Sequence, residues 1–191
     1  MVILNRIYTR AGDAGRTRLA TGEPVSKTSP RVETYGALDE TNAAVGLARL
    51  HTAADVLLDP MLARVQNELF DLGADLATPE RSGEVPGSVL RILESQVERL
   101  EREIDELNGA LPPLASFVLP GGTAAAAALH LARTVCRRAE RQAVALQEAG
   151  ETVSPTALKY LNRLSDLLFV AARWANDRGA TEVFWKSGAT R

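Results

Sequence analysis

Cysteine, histidine, lysine and aromatic residues are all scarce in this 191-residue chain. The lone Cys136 excludes an intramolecular disulfide and a Cys-rich zinc site. His51 and His130, the only two histidines, are too few for a His-based metal centre unless carboxylates or a second chain supply the rest. They also offer no obvious nucleophile–base pair. Charge of neither sign dominates: 22 Lys+Arg face 24 Asp+Glu, a formal net charge of -2, which argues against a general nucleic-acid coat. No run approaches the roughly 20 apolar residues that span a bilayer. Residues 1–6 (Met-Val-Ile-Leu-Asn-Arg) lack the long apolar stretch and small-residue cleavage site of a secretory signal. A cytoplasmic protein with no membrane partner is expected.

The rest of the composition is that of a folded protein. Hydrophobic residues make up 46%, which excludes intrinsic disorder. At this length one domain is expected, burying roughly 70% of its unfolded surface. It divides into an arm over residues 1–28, a helical body over 29–179 and a tail over 180–191. Only Lys27, Lys159 and Lys186 are lysines, so 19 of the 22 basic residues are arginine. That excess is either compositional or, in part, an anion site.

Helical signals take over after the arm. Ser29-Pro30 reads as an N-cap followed by Pro at the first helical position. The helix should reach about Leu50, with a stripe of Val32, Tyr35, Gly36, Asp39, Ala43, Gly46 and Leu50. Asp59-Pro60 repeats the start signal, with Leu62, Val65, Leu69, Leu72 and Leu76 as the stripe and Pro79 as the stop. Ser88 is expected to cap a third helix carrying Leu93, Val97, Leu100, Ile104 and Leu107, ended by Asn108-Gly109 in a left-handed turn. Thr123 should cap a fourth helix running to about Ala149, opening on five alanines. Ser154-Pro155 starts a fifth that runs to about Asp177, with Gly179 as its stop. No strand pair is expected. The fold class is all-α: an antiparallel five-helix bundle with a Gly-rich N-terminal arm.

The polar residues fall into three groups. Arg133, Arg137 and Arg141 recur every four residues on the fourth helix, with Arg138 beside them and Glu140 to offset part of their charge. Such a face is either a solvated surface with local Arg–Glu pairing or a socket for a polyanion, since guanidinium groups bind phosphate oxygens bidentately. In the arm, Gly12 and Gly15 allow close backbone approach to a ligand, Thr9 and Thr17 add hydroxyls, Arg10 and Arg16 add charge, and Asp13 is placed to hold magnesium through water. The arm is not a Walker A loop, because the Gly-Lys-Ser/Thr ending is missing. On the fifth helix Asn162, Asp166, Phe169 and Arg173 share a face. Cys136 reads as a buried structural thiol. With no nucleophile–base pair, an enzyme built on this chain would position its reactants and neutralise charge, and the nucleophile would come from a substrate or cofactor.

Several segments together resemble one family. They are Tyr8-Thr9-Arg10-Ala11-Gly12-Asp13-Ala14-Gly15, Arg31-Val32-Glu33-Thr34-Tyr35-Gly36-Ala37-Leu38-Asp39-Glu40-Thr41-Asn42, Val65-Gln66-Asn67-Glu68-Leu69-Phe70-Asp71-Leu72-Gly73, Phe117-Val118-Leu119-Pro120-Gly121-Gly122, Cys136-Arg137-Arg138-Ala139-Glu140-Arg141 and Tyr160-Leu161-Asn162-Arg163-Leu164-Ser165-Asp166. In this order they resemble the PduO-type ATP:cob(I)alamin adenosyltransferases, or corrinoid adenosyltransferases.

The resemblance implies a homotrimer with active sites at subunit interfaces. It implies transfer of the 5′-deoxyadenosyl group of ATP to Co(I) of cob(I)alamin, with Mg2+ accompanying ATP and triphosphate released. Thr9, Arg10, Gly12, Asp13, Gly15, Thr17 and Lys27 match the family's nucleotide loop and lysine. Arg137, Arg138, Glu140, Arg141 and Asn162 match its nucleotide contacts on the fourth and fifth helices. Asp39 and Arg133 match a salt bridge between subunits, and Phe117 matches the aromatic that sits against the corrin and helps remove its lower axial ligand. Ala11 and Ala14 depart from the family pattern and remove polar side chains from the loop. A flavin-type reductase and an adenosylcobalamin-dependent enzyme are the partners such a reaction implies. The alternatives to an enzyme are an adenosylcobalamin carrier or nucleotide-sensing bundle with little turnover, and a helical adaptor with no small ligand.

Overall fold

The computed structural model describes residues 7–80, 83–85 and 87–191. Residues 1–6, on which the reading of the N-terminus rests, and residues 81, 82 and 86 of the polar loop lie outside the described residues. Five helices carry the fold: α1 (Pro30–Arg49), α2 (Leu58–Leu76), α3 (Glu94–Asn108), α4 (Ala124–Glu148) and α5 (Pro155–Trp174). Among the described residues no helix is long and apolar enough to cross a membrane.

Two of the helix starts follow the expected cap chemistry in full. The Ser29 hydroxyl accepts from the Val32 amide at 3.4 Å, and the Thr123 hydroxyl from the Ala126 amide at 3.1 Å. Ser154 precedes α5 as expected but makes no side-chain cap bond. At α2 the capping carboxylate is Asp55, which accepts from the Leu57 and Leu58 amides at 3.0 and 2.8 Å. Asp59, expected in that role, instead takes a bidentate pair from Arg49. The third helix begins at Glu94, six residues after Ser88, whose hydroxyl is spent on the Val85 carbonyl. It ends without the expected left-handed residue, because Gly109 has φ of -61°.

Consecutive helices alternate in direction. Thr34 bonds to the Gln142 carbonyl while Glu40 pairs with Arg138, so α1 and α4 run antiparallel. Because five is odd, α3 and α5 point the same way and lie side by side, tied by Glu94–Lys159 and Glu101–Arg163. The core contains the expected stripe of α2, with Leu62, Val65 and Leu72 fully buried, and Val97, Leu100 and Leu107 of the α3 stripe; Leu93 of that stripe precedes the helix and is 60% exposed, and Ile104 is half-buried. Buried Ala126, Ala132, Ala139 and Ala143 let α1 and α5 pack closely on either side of α4.

The α1 stripe is a correction. The buried face of α1 is Thr34, Ala37, Leu38, Thr41, Val45 and Ala48. Asp39, Ala43 and Leu50 of the expected stripe are exposed instead, and Gly36 faces open space. Small residues at helical spacing fit either face, so periodicity alone selected the wrong one. Together with α2 this outer face forms an open groove of about 450 Å³ lined by Tyr35, Gly36, Asp39, Phe70 and Gly73.

A second correction concerns the arm. Arg16–Arg18 (β1) and Pro24–Ser26 (β2) form a short antiparallel hairpin, with Thr17 opposite Val25. Three-residue strands are too short to leave an alternating pattern in the sequence. The Ala20 amide donates to the Ala77 carbonyl at 3.3 Å, fixing the hairpin to the end of α2.

Candidate functional site

The expected site residues assemble into three groups along the bundle. The hairpin forms the first. The Lys27 amide donates to the Gly15 carbonyl at 2.9 Å, closing the loop onto β2. The Lys27 ammonium then lies against Gly12: a Cβ there would sit 3.0 Å from Nζ and 3.1 Å from Cε. A side chain there would displace the flexible end of Lys27 by a few tenths of an ångström. Thr9, Ala11, Gly12, Thr17 and Lys27 line an open cleft of about 620 Å³. Two arginines of the arm are engaged within it, Arg16 to the Pro24 carbonyl at 3.0 Å and Arg18 to the Gly22 carbonyl at 2.8 Å. Arg10 lies over the Tyr8 ring, and Asp13 is exposed on the loop turn.

The second group is the face shared by α4 and α5. Arg137, Arg138 and Arg141 are exposed. Arg141 donates to the Arg137 carbonyl at 3.0 Å, while Arg138 turns to Glu40 of α1. Glu140 points to α5, where it accepts from Asn162 Nδ2 at 2.9 Å. Asn162 Oδ1 in turn accepts from Arg163 at 2.6 Å. Burial raises the Asp166 carboxyl above its ordinary value, and the nearby Arg163 and Arg137 charges oppose that shift. Cys136 is sealed beneath this face and its thiol is pushed far up by burial, so it is inert as a nucleophile.

Toward the other end of α4 the character changes. Arg133 is half-buried with its guanidinium over the Phe169 ring at 5.9 Å, and its Nε has no hydrogen-bond partner. Burial, then the Arg137 charge, lowers its proton affinity. His130 is buried against the same ring, with centroids 6.2 Å apart, and neither ring nitrogen has a partner. His130 and Phe169 are members of this cluster that spacing did not single out together, because they meet across two helices.

The third group surrounds Phe117, which is 77% exposed. Its ring packs edge-on against Trp185 at 6.1 Å. A short ladder fixes its backbone: the Trp185 amide donates to the Phe117 carbonyl and the Leu119 amide to the Val183 carbonyl, both at 2.8 Å. Asn176, which sequence reasoning missed, clamps the other side of the loop. It is 1% exposed, accepts from the Thr123 amide at 2.9 Å and donates to the Gly121 carbonyl at 3.0 Å. Gly122 has φ of 103°, and a Cβ there would meet Asn176 Oδ1 at 2.0 Å. No local pattern marks Asn176, since its partners lie more than 50 residues away.

Because α4 runs opposite to α1, the three groups follow one order along it. The Phe117 loop precedes its N-terminus, Arg133 and Arg137 follow, and Arg141 lies toward the hairpin end. The exposed apolar loop at the N-terminal end of α4 is therefore followed by the arginines of its middle turns. Among the described residues no hydrogen bond or ion pair joins the hairpin cleft to Arg137, Arg141 or Asn162 within the chain. None joins Asp39 to Arg133 either. Among the described residues no cluster of three His, Cys, Asp or Glu side chains is placed to hold a metal ion.

The chain matches the family model described as cobalamin adenosyltransferase over residues 7–175. It is 49% identical to the corrinoid adenosyltransferase of Mycobacterium tuberculosis, over 100% of this chain and 97% of that protein. It is 42% identical to the corrinoid adenosyltransferase of Bacillus subtilis, over 96% and 94%. A solved phenylalanine-to-histidine variant of the PduO-type ATP:corrinoid adenosyltransferase from Lactobacillus reuteri, complexed with cobalamin and ATP, superposes with a TM-score of 0.85. Identity there is 38%, with coverage of 95% and 97%. Sequence and fold agree: the chain belongs to the cobalamin adenosyltransferase family.

Proposed function

We propose that this protein transfers the 5′-deoxyadenosyl group of ATP to the cobalt of cob(I)alamin, giving adenosylcobalamin and triphosphate. The observation that carries this reading is the end-to-end match to corrinoid adenosyltransferases. The apolar Phe117 loop ahead of α4 and the arginines on its middle turns give the match a physical basis. Co(I) attacks the ribose C5′ with its own electron pair. The cobalt–carbon bond forms, the C5′–O bond breaks, and triphosphate leaves with the electrons of the broken bond. Co(I) becomes Co(III). Such a nucleophile needs no general base, in keeping with a chain that has two histidines and one inert thiol.

The protein's work is then placement and charge neutralisation. Thr9, Arg10, Gly12, Asp13, Gly15, Thr17 and Lys27 hold the nucleotide in the hairpin cleft, with Arg137, Arg138, Glu140, Arg141 and Asn162 on the facing surface. The arginines and Lys27 stabilise the charge gathered on triphosphate. Mg2+ enters on the ATP phosphates. Phe117 is the apolar wedge against the corrin, and removing the lower axial ligand eases reduction to Co(I).

The protein acts as a homotrimer in the cytoplasm, with one domain over residues 1–191. Asp39, exposed and without an ion pair among the described residues, pairs across the interface with Arg133. The outer face of α1, with its groove against α2, is the surface that meets the neighbouring subunit. A flavin-type reductase supplies Co(I), and an adenosylcobalamin-dependent enzyme takes the product. The test is anaerobic incubation of chemically reduced cobalamin with protein and MgATP. The corrin absorption spectrum should convert to that of adenosylcobalamin, and no conversion where a control enzyme works rejects the proposal.

A further inference from the structure

The tail that carries Trp185 is fixed to the bundle by one buried ion pair. Arg173, on the last turn of α5, donates through Nε to Glu182 Oε1 at 2.7 Å, and its Nη2 reaches Glu182 Oε2 at 3.3 Å. The two side chains are 3% and 0% exposed. The same Nη2 donates to the Pro112 carbonyl at 2.7 Å, so Arg173 also holds the beginning of the loop that leads to Phe117. Gly179 makes the turn between the partners. Its φ is 85°, and a Cβ there would lie 3.1 Å from Pro112 and 3.3 Å from Glu182 Oε2. Glu182 immediately precedes Val183, whose carbonyl, together with the Trp185 amide, forms the ladder to the Phe117 loop. The Ser116 hydroxyl closes it by donating to the Trp185 carbonyl at 2.9 Å.

We infer that the Arg173–Glu182 pair is a positioning device for Phe117, acting through the tail; this rests on the reading of Phe117 as the corrin wedge. An exposed ring on an irregular loop has no rigid element of its own. Its direction is set by the backbone ladder, and the ladder is only as fixed as the strand it pairs with. That strand, residues 183–185, is exposed apart from this contact. A sealed, multiply bonded arginine defines one geometry for both ends of the loop. Arg173 and Glu182 touch neither the cobalt nor the nucleotide in this account. They serve the reaction by aiming the residue that does.

The test is a double-mutant cycle on the full-length protein with chemically reduced cobalamin and MgATP. Glu182→Gln keeps a hydrogen bond but removes the charge that fixes the guanidinium. It should lower kcat by about ten- to a hundred-fold while leaving the KM for ATP within about two-fold. In a Phe117→Ala background the same change should add less than about a two-fold loss, because both act through one ring. Electron paramagnetic resonance of enzyme-bound cob(II)alamin gives a second readout. The nitrogen splitting from the lower axial ligand should be lost in wild type with ATP and should persist in Glu182→Gln as in Phe117→Ala. Losses that multiply, a defect in the KM for ATP, or an unchanged kcat would overturn the inference. If Glu182→Gln does not fold, Trp185→Pro enters the same cycle; it deletes the amide donor to Phe117 on an exposed segment and is judged by the same outcomes. A wild-type protein that forms no adenosylcobalamin fails the functional reading itself, and the inference with it.

Discussion

Arg133 and Arg137 are one helical turn apart and live in different surroundings. Arg133 lies over an aromatic ring, half-buried, while Arg137 is exposed beside Asp166 and Arg141. A phosphate-binding arginine must present its donors to a ligand, and of these two it is Arg137 that is exposed to do so. Arg137→Ala should therefore raise the KM for ATP more than it weakens corrinoid binding. Phe117→Ala should slow adenosylation and spare ATP binding. Steady-state kinetics with each substrate varied separates the two, and equal effects on both ligands reject the division. His130 makes a prediction about stability. Burial, helped by the Arg133 charge, holds its imidazole below the ordinary value of 6.5, and Glu182 opposes this only in part. The folded state thus binds its proton less readily than the unfolded chain. That contribution is fully present above pH 6.5 and is lost as pH falls from there through the folded value. Asp59, held below its ordinary 3.8 by Arg49, titrates in a separate window further down. Thermal melts should lose stability between pH 7 and 5, and His130→Leu should flatten that slope. An unchanged slope would mean the imidazole is not buried as described.

At the scale of elements, the long helices were legible in the sequence and the connections were not. The stripe of α2, and that of α3 from Val97 on, mark the buried faces because leucine and valine favour one side strongly; Leu93, exposed ahead of α3, is the exception. On α1 the alternating alanines, glycines and threonines suit either environment, and the periodic stripe proved to be the outer one. Ser88 and Asp59 read as caps because their residue types favour that role, but Val85 and Arg49 claimed them first. The hairpin was invisible because six residues of strand carry no periodicity. Of the site, the arginine face and the Gly12 loop were readable from composition and spacing. The Asn176 clamp and the Arg173–Glu182 pair were not, since each depends on partners brought together only by the finished fold. Asn176 gives a direct test. Gly122→Ala drives a methyl into its amide at a positive φ and should cost about 1–3 kcal/mol. At this chain length that is a fall in Tm of roughly 2–12 °C. Adding Asn176→Ala removes the clash as well as two buried hydrogen bonds, so the double variant should be more stable than the sum of the singles predicts. Strict additivity in the melts would show that the two positions do not touch.

At the scale of the whole molecule, the candidate site residues of one chain form separate groups. Among the described residues no hydrogen bond joins the hairpin cleft to the arginine face, Asp39 has no ion-pair partner, and the buried Arg133 Nε has no hydrogen-bond partner. If the protein is the homotrimer proposed above, a second copy should supply these partners. Asp39→Ala and Arg133→Ala should each weaken the trimer and cut activity, since breaking one side of a buried pair typically costs about 3–5 kcal/mol. Sedimentation velocity across a concentration series should show smaller species at low concentration for either variant and a stable trimer for wild type. Wild-type protein that sediments as a monomer throughout would remove the basis for a shared site. The central claim remains the chemistry, and it is tested most directly by one spectrum. Cob(I)alamin, protein and MgATP mixed without oxygen should yield adenosylcobalamin and one equivalent of triphosphate per corrinoid. Cob(I)alamin that persists unchanged beside intact ATP, while a control enzyme converts it, would contradict the account.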